Sequence, residues 1–233
     1  MKNIFILSTL YLVLCLHPVL AQKIIEKTLP YTKDQKIDKN LKFGDHIQVN
    51  SWDKNEIYIK AVIEINGGRL NDALVMNFTS DKESIRVLAD FDKQLIKQGK
   101  REDCPSENGS FRGYHDGNNY VCSTITYQIY IPKGAGLEIE TISANIDLKE
   151  VTGPVHAKSI SGYVDMNWPS RQGASVAMKT ITGEVYSDLD ISFLNKKDSP
   201  QIVGYLIKGT LNGGGPDVHL ESISNDVFLR KAN

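Results

Sequence analysis

A chain of 233 residues with 41% hydrophobic and 24% charged residues has an ordinary globular composition and is long enough to bury a core. Its 27 basic and 28 acidic residues leave a formal charge of −1, so no electrostatic ground exists for expecting nucleic acid or an anionic membrane surface as partner. Nucleophile elbows, phosphate-binding glycine loops, HExxH and paired CxxC are all absent, which removes the familiar catalytic motifs.

The chain opens on MKNIFILSTLYLVLCLHPVLAQ, with basic Lys2, an apolar run from Ile4 to Leu16 and Val19-Leu20-Ala21 placed as a small-residue cleavage site. This reads as a secretory signal over residues 1–21, cut between Ala21 and Gln22. A membrane anchor would need about 20 apolar residues, and His17-Pro18 interrupts the run too early. A lipoprotein would need a small residue before the modified cysteine, whereas Leu14 precedes Cys15. Loss of Lys2 moves the mature chain to a formal charge of −2, and no later stretch is long and apolar enough to span a bilayer. The expected location is the periplasm or cell surface of a bacterium.

From Lys23 to Tyr130 short alternating stretches predict strands: DHIQVNSW, NEIYIKAVIEI, ALVMNFTS, ESIRVLADF and STITYQIYIP, separated by turn signals such as NGG and TSDKES. The only helical period is a weak one at FDKQLIKQGK. Residues 97–122 form a long polar loop rich in Gly and Asn, a length that usually marks function or mobility. Cys104 and Cys122 are the only cysteines left after export, and in an oxidising compartment they predict a disulfide. Closing that loop stabilises by about 3 kcal/mol on the chain-entropy argument. A cysteine metal site lacks a second ligand pair at the required spacing.

Beyond Leu137 one phrase recurs, centred on Ile142, Ile160, Ile181 and Ile223. With that isoleucine as position zero, apolar residues stand three and five before it and again four and six after it, apart from Ser187. Position +2 is Ala144, Gly162, Gly183 or Asn225. A weaker copy, GTLNGGGPDVHL, centres on Leu211. The first copies start 18 and 21 residues apart, a spacing that predicts stacked coils sharing one core. The central isoleucine and position +2 are expected to point inward, with glycine chosen for a narrow corner and a positive φ. Hydroxyls at −1 (Thr141, Ser159, Thr180, Thr210, Ser222) and mostly hydroxyls at +1 predict ladders of side-chain hydrogen bonds along the stack. The last coil, at DVFLRK, is expected to leave an edge open for pairing.

The phrases TISANIDL, SISGYVDM, TITGEVYS and TLNGGGPDVHLESISNDVFLRK resemble the repeats of the bacterial putative-adhesin domain family of unknown function, which reads T-x-S/N-G-x-I-x-L and ends in N-G-G-G-P. YQIYIPKGAGLEIET is similar to the segment leading into those repeats, and FGDHIQVNSWD to the family's early G-D-I-x-V strand. The resemblance implies an exported all-β protein with a right-handed, β-helix-like β-solenoid as its C-terminal half and β-rich strands packed or stacked on it. The division expected is a β-rich part over 22–136 and a repeat part over 137–233, continuous as one domain. The family carries no ligand set or catalytic residues over to this chain.

Three constellations stand out. At +5, outward residues are expected to stack as Asp147, Asp165, Tyr186 and Phe228, with His219 in the weaker copy. Two carboxylates on neighbouring coils at about 5 Å raise a pKa or attract a cation, and outer-face carboxylates serve polysaccharide-cleaving β-helices. No Arg or Lys stands at this position to assist, so a screened, solvated ladder is the plainer reading. NGGGPDVHL partly matches the calcium-binding nonapeptide repeat, which would make Asp217 a ligand, but a single copy reads as a corner. Phe111, Arg112, Tyr114, His115, Asp116 and Tyr120 give the long loop a composition suited to recognition. The expected function is a non-enzymatic, adhesin-like binding or structural module of the envelope, without cofactor, with a glycan or an envelope or host protein as partner. The alternatives are a periplasmic scaffold or sensor binding another envelope protein, and a polysaccharide-active enzyme using Asp147 and Asp165.

Overall fold

The computed structural model describes residues 22–104, 113–116, 119–193, 204 and 206–232. The leader through Ala21, and Phe111 and Arg112 of the long loop, lie outside them. The alternating stretches of the first half are strands β1 (Lys23–Pro30), β2 (Lys36–Leu41), β3 (His46–Trp52), β4 (Glu56–Ile65), β5 (Leu74–Ser80) and β6 (Ser84–Phe91). A single helical turn, α1 (Lys93–Ile96), begins the long loop, capped by the Asp92 carboxylate, which accepts from the amides of Gln94 and Leu95. Strands β7 (Gly113–Asp116) and β8 (Asn119–Pro132) follow as an antiparallel hairpin, so the loop expected over 97–122 contains regular structure. The disulfide Cys104–Cys122 joins its two ends.

Each repeat phrase supplies two strands rather than one bent strand. They are β9 (Leu137–Thr141) and β10 (Asn145–Lys149), β11 (Val155–Ser159) and β12 (Val164–Trp168), β13 (Ala174–Lys179) and β14 (Val185–Ser187). The remainder is β15 (Ser192–Phe193), β16 (Ile207–Leu211), β17 (Asp217–Ser222) and β18 (Val227–Lys231). These elements make an all-β protein of two large mixed sheets, in the orders β1-β4-β8-β3-β10-β12-β18-β14 and β15-β16-β13-β17-β11-β9-β2-β6-β5. From β8 to β14 in the first, and from β13 to β6 in the second, neighbours run parallel; the antiparallel pairs lie toward the ends. The inward faces share one apolar core drawn from both halves of the chain, from Ile37 and Ile47 to Val227 and Leu229.

The register matches the repeat template. Leu137, Val155, Val218 and Val176 are lateral partners in one sheet, and Ile146, Val164, Val227 and Val185 in the other. The order of stacking does not follow the chain. The last phrase, β17/β18, lies between β11/β12 and β13/β14. At the opposite end β2/β3 lies inside β6/β8 in the same manner, the long loop being an insertion between β6 and β8. DVFLRK is therefore an interior strand, held on both sides, and the open edge expected there does not exist. The weaker copy is no coil either: β16 pairs antiparallel to β13, and Gly213-Gly214-Gly215 carries the chain over β13 to β17. A Cβ on Gly173 or Gly215 would collide with the other segment's backbone, which accounts for the glycines at this crossing.

The corners follow a rule different from the one expected. Ile142, Ile160 and Ile181 are 38%, 39% and 38% exposed, so the central isoleucines form an outer ridge. The period of two breaks where the chain turns from one sheet to the other. Positions −1 and +2 point in; positions 0 and +1 point out. Each buried −1 hydroxyl accepts from the amide of its own +2 residue: Ser159 from Gly162 at 2.9 Å, Ser222 from Asn225 at 3.0 Å, Thr180 from Gly183 at 3.1 Å. Three of them then donate to the +2 carbonyl of the next unit in space: Ser159 to Ala144 at 2.8 Å, Ser222 to Gly162 at 2.8 Å, Thr180 to Asn225 at 2.7 Å; Thr141 donates instead to the Lys42 carbonyl at 3.4 Å. Glycine at 162 and 183 is explained by close approach, not by a positive φ. A Cβ there would overlap the carbonyls of Ala144 and Asn225.

The pair β2/β3 is a further copy of the template that the sequence conceals, because Lys39 stands where Ile139 is its lateral partner. Lys39 is 0% exposed, and its Nζ makes no hydrogen bond among the described residues. Burial lowers its pKa from 10.5 to about 7. An unfolded lysine keeps its proton up to its ordinary value, so between about pH 7 and pH 10 the unfolded chain binds more protons and stability rises with pH. Lys39→Met is expected to be more stable than the parent at pH 7 and to lose about 1.4 kcal/mol per pH unit of that rise, read as the difference between the two urea-unfolding profiles. Gly162→Ala should cost about 3 kcal/mol through overpacking, whereas exposed Ser161→Ala should stay within about 0.5 kcal/mol. Equal effects at the two positions would contradict the corner rule.

Candidate functional site

Because inward positions alternate with outward ones, the outer face of the first sheet carries a lateral row that no single stretch of sequence displays. In register across β8, β3, β10, β12, β18 and β14 stand Gln128, Gln48, Asp147, Asp165, Phe228 and Tyr186. Asp147 and Asp165 are direct partners on adjacent strands, which are about 4.8 Å apart. Each has its own counter-group. His46 Nε2 lies 3.1 Å from Asp147 Oδ2, and Arg230 Nη2 lies 3.0 Å from Asp165 Oδ2.

The two aspartate side chains are equally exposed, at 22%. Burial pushes the Asp165 carboxyl above the ordinary value; Arg230 draws it back and the neighbouring Asp147 charge adds to the rise. Its Oδ1 has no hydrogen-bond partner among the described residues. Tyr163 is raised by burial, with both aspartates contributing. The face thus holds a carboxylate pair, one member beside an arginine and the other beside a histidine.

Beyond Asp165 the row becomes aromatic. The rings of Tyr186 and Phe228 stack at 5.2 Å with 11° between planes, and Tyr163 meets Phe228 edge-on at 6.3 Å. The Arg230 guanidinium lies over the Phe228 ring, 4.4 Å from its centre. Tyr186, Ser187, Asp188, Phe228 and Arg230 line a shallow recess of about 360 Å³. Across the sheet Trp52, Tyr58 and Tyr130 form a second cluster with ring separations of 5.1, 6.1 and 6.3 Å, and Lys54 lies 4.6 Å above Trp52.

The structure brings together only part of what the sequence singled out. Asp147 and Asp165 meet, but Asp217 begins β17 in the opposite sheet and stands exposed, away from both. His219 is on that sheet as well and does not extend the +5 row. The long loop is anchored from below: the Asn66 side chain donates to the Tyr120 carbonyl at 2.8 Å and accepts from the Cys122 amide at 3.1 Å. Tyr114, His115 and Asp116 lie on strand β7 of the hairpin, and Tyr120 is half-buried at the start of β8. Gln22, the first residue after the expected cleavage, donates to Glu64 at 3.5 Å. Sequence reasoning missed His46 and Arg230. Arg230 occupies the position two after Phe228 on β18, and the unexpected neighbour relation of β18 and β12 is what brings it to Asp165.

No family model matches the chain, and no curated protein matches it. Among solved structures it is similar to a putative cell adhesion protein from Clostridium sporogenes, with 11% identity, a TM-score of 0.49, and coverage of 91% of this chain and 100% of that one. It is also similar to a putative adhesin from Bacteroides fragilis, with 12% identity, a TM-score of 0.24, and coverage of 90% and 97%. A putative lipid binding protein from Parabacteroides distasonis gives 11% identity, a TM-score of 0.25, and coverage of 90% and 97%.

Removing the cation beside Asp165 tests the electrostatics of the row. In Arg230→Gln the Asp165 carboxyl should titrate at higher pH than in the parent, because burial and Asp147 then act unopposed. Carbon-detected NMR titration reads the shift directly, and an unchanged or lower value would contradict the arrangement. The stability loss at pH 7 should be about 1 kcal/mol, since half of the arginine is in solvent.

Proposed function

We propose that this chain is an exported, non-enzymatic binding module whose outer first-sheet face takes a glycan. The observation that carries the reading is the row itself: an exposed aromatic stack, Tyr186 on Phe228, continuous with an arginine and two carboxylates. A sugar ring offers an apolar C–H face to an aromatic plane and hydroxyls to charged and amide groups at its rim. A flat, polar row with aromatic anchors suits an extended oligosaccharide better than a small molecule that needs enclosure. The two carboxylates serve here as hydroxyl acceptors.

Export is supported by the leader pattern and by the disulfide, which persists in oxidising compartments. No helix among the described residues is long and apolar enough to cross a membrane. Six strand pairs, each giving one strand to each sheet, fit a variant of the β-solenoid in which the second and fifth coils of the stack are the first and last in the chain. The right-handed winding implied by the family resemblance belongs to the same reading.

The test is a glycan array probed with the purified chain, alongside Phe228→Ala and Tyr186→Ala. At least one oligosaccharide class should be retained by the parent and weakened tenfold or more by either substitution. Any cleavage of bound glycan that disappears in Asp165→Asn would replace the binding reading with the enzymatic one. Absence of glycan binding, together with protection from protease added to intact cells, would favour the periplasmic scaffold or sensor.

A further inference from the structure

The outer face of the second sheet carries a different chemistry, at positions −4 and −2 of the repeat. In lateral register at −4 stand Glu138, His156, His219 and Ala177, and at −2 stand Glu140, Lys158, Glu221 and Lys179. The two histidines are direct partners on adjacent parallel strands, their ring centres 4.7 Å apart and their planes at 46°. Glu221, two residues beyond His219 on the same face of β17, brings Oε2 to 3.8 Å from His219 Nε2. One donor atom from each of His156, His219 and Glu221 falls within 4.8 Å of the others.

We propose that His156, His219 and Glu221 form a binding site for a transition-metal dication of the Zn²⁺ class. Two ligands at about 2.0–2.1 Å on a tetrahedral ion are about 3.3 Å apart, so side-chain rotations of under about 1 Å complete the coordination from the present positions. His219 Nε2 is enclosed and makes no hydrogen bond among the described residues, which leaves its lone pair uncommitted. The His156 and His219 side chains are 40% and 36% exposed, leaving room for water as a further ligand.

The surroundings divide the work in the manner of a built site. Glu138 Oε1 lies 3.9 Å from His156 Nδ1 and Glu138 is itself paired with Lys36, so it can hold that ring with Nε2 free. Lys158 and Lys179 both approach Glu221 Oε1, at 3.9 and 3.6 Å, which leaves Oε2 toward His219. The lysines also weaken the attraction for any dication, and this works against hard cations that rely on charge more than against metals that bond to imidazole nitrogen. The site lies on the sheet opposite the glycan row and does not depend on that reading.

The experiment is isothermal titration of the metal-free, disulfide-linked chain with ZnCl₂, and with CaCl₂ and MgCl₂ separately. One Zn²⁺ should bind per chain, with no heat from the other two ions. His156→Ala and His219→Ala should each lower the Zn²⁺ affinity at least tenfold, Glu138→Gln about tenfold through loss of orientation, and His46→Ala not at all. Co²⁺ substituted at the site should show the visible absorption of a nitrogen-ligated tetrahedral ion, which a misfolded variant cannot mimic in the parent. No Zn²⁺ binding by the parent, binding unchanged in both histidine variants, or loss in His46→Ala instead would each overturn the proposal.

Discussion

The fold depends on a hydrogen-bonded corner. At every full copy of the repeat, one serine or threonine hydroxyl joins its own turn to the carbonyl of the unit beneath. It satisfies a buried amide and a buried carbonyl at the point where the sheet ladder cannot reach. That geometry brings backbone to backbone so closely that Gly162 and Gly183 have no room for a Cβ. The hydroxyl at −1 and the small residue at +2 are two halves of one constraint, and the isoleucine between them is turned outward as a consequence. Without the corner, the apolar residues of each unit could still alternate, but the two sheets would not be held at a fixed offset.

Given such corners, the units are interchangeable as stacking partners, and the chain exploits this. Both the first and the last strand pair are inserted one place in from the end of the stack. Each is clasped on two sides, and the antiparallel strands β1, β4, β5, β15 and β16 cover three of the four sheet ends, leaving β14 as a parallel edge among the described residues. The glycine run at 213–215 is the local requirement of this arrangement, since the chain must cross β13 at close range to deliver β17. The insertion also creates chemistry. It sets Arg230 against Asp165 and His219 against His156, two contacts that a stack built in chain order would not make.

The two outer faces have diverged while the interior has stayed uniform. Inward positions are constrained by a shared apolar core, and a lysine among them, Lys39, is tolerated at the expense of its charge. Outward positions carry no such constraint, so one face has acquired aromatic rings and paired carboxylates and the other imidazoles among alternating Glu and Lys. A rigid parallel stack presents each row at the strand spacing with little freedom to rearrange, which favours recognition of extended or multidentate ligands over enclosure of small ones.

Much of this was legible in the sequence. Alternation in HIQVNSW or EIYIKAVIEI follows from a sheet with one buried face, and the lateral register follows from the spacing of Leu137, Val155, Val176 and Val218, because each copy must present the same residues to the same core. The pairing of Cys104 with Cys122 followed from their being the two cysteines left once the leader-like segment is set aside. What the sequence by itself determined was therefore local and periodic: strands, the facing of their residues and the disulfide. The order of the stack was decided only by tertiary structure, because equivalent units satisfy the same lateral bonds in any order. The direction of the isoleucines was decided there too, since a corner breaks the period of two. With the order came the neighbours, Arg230 beside Asp165 and His156 beside His219, which depend on which strands lie side by side rather than on what either strand contains.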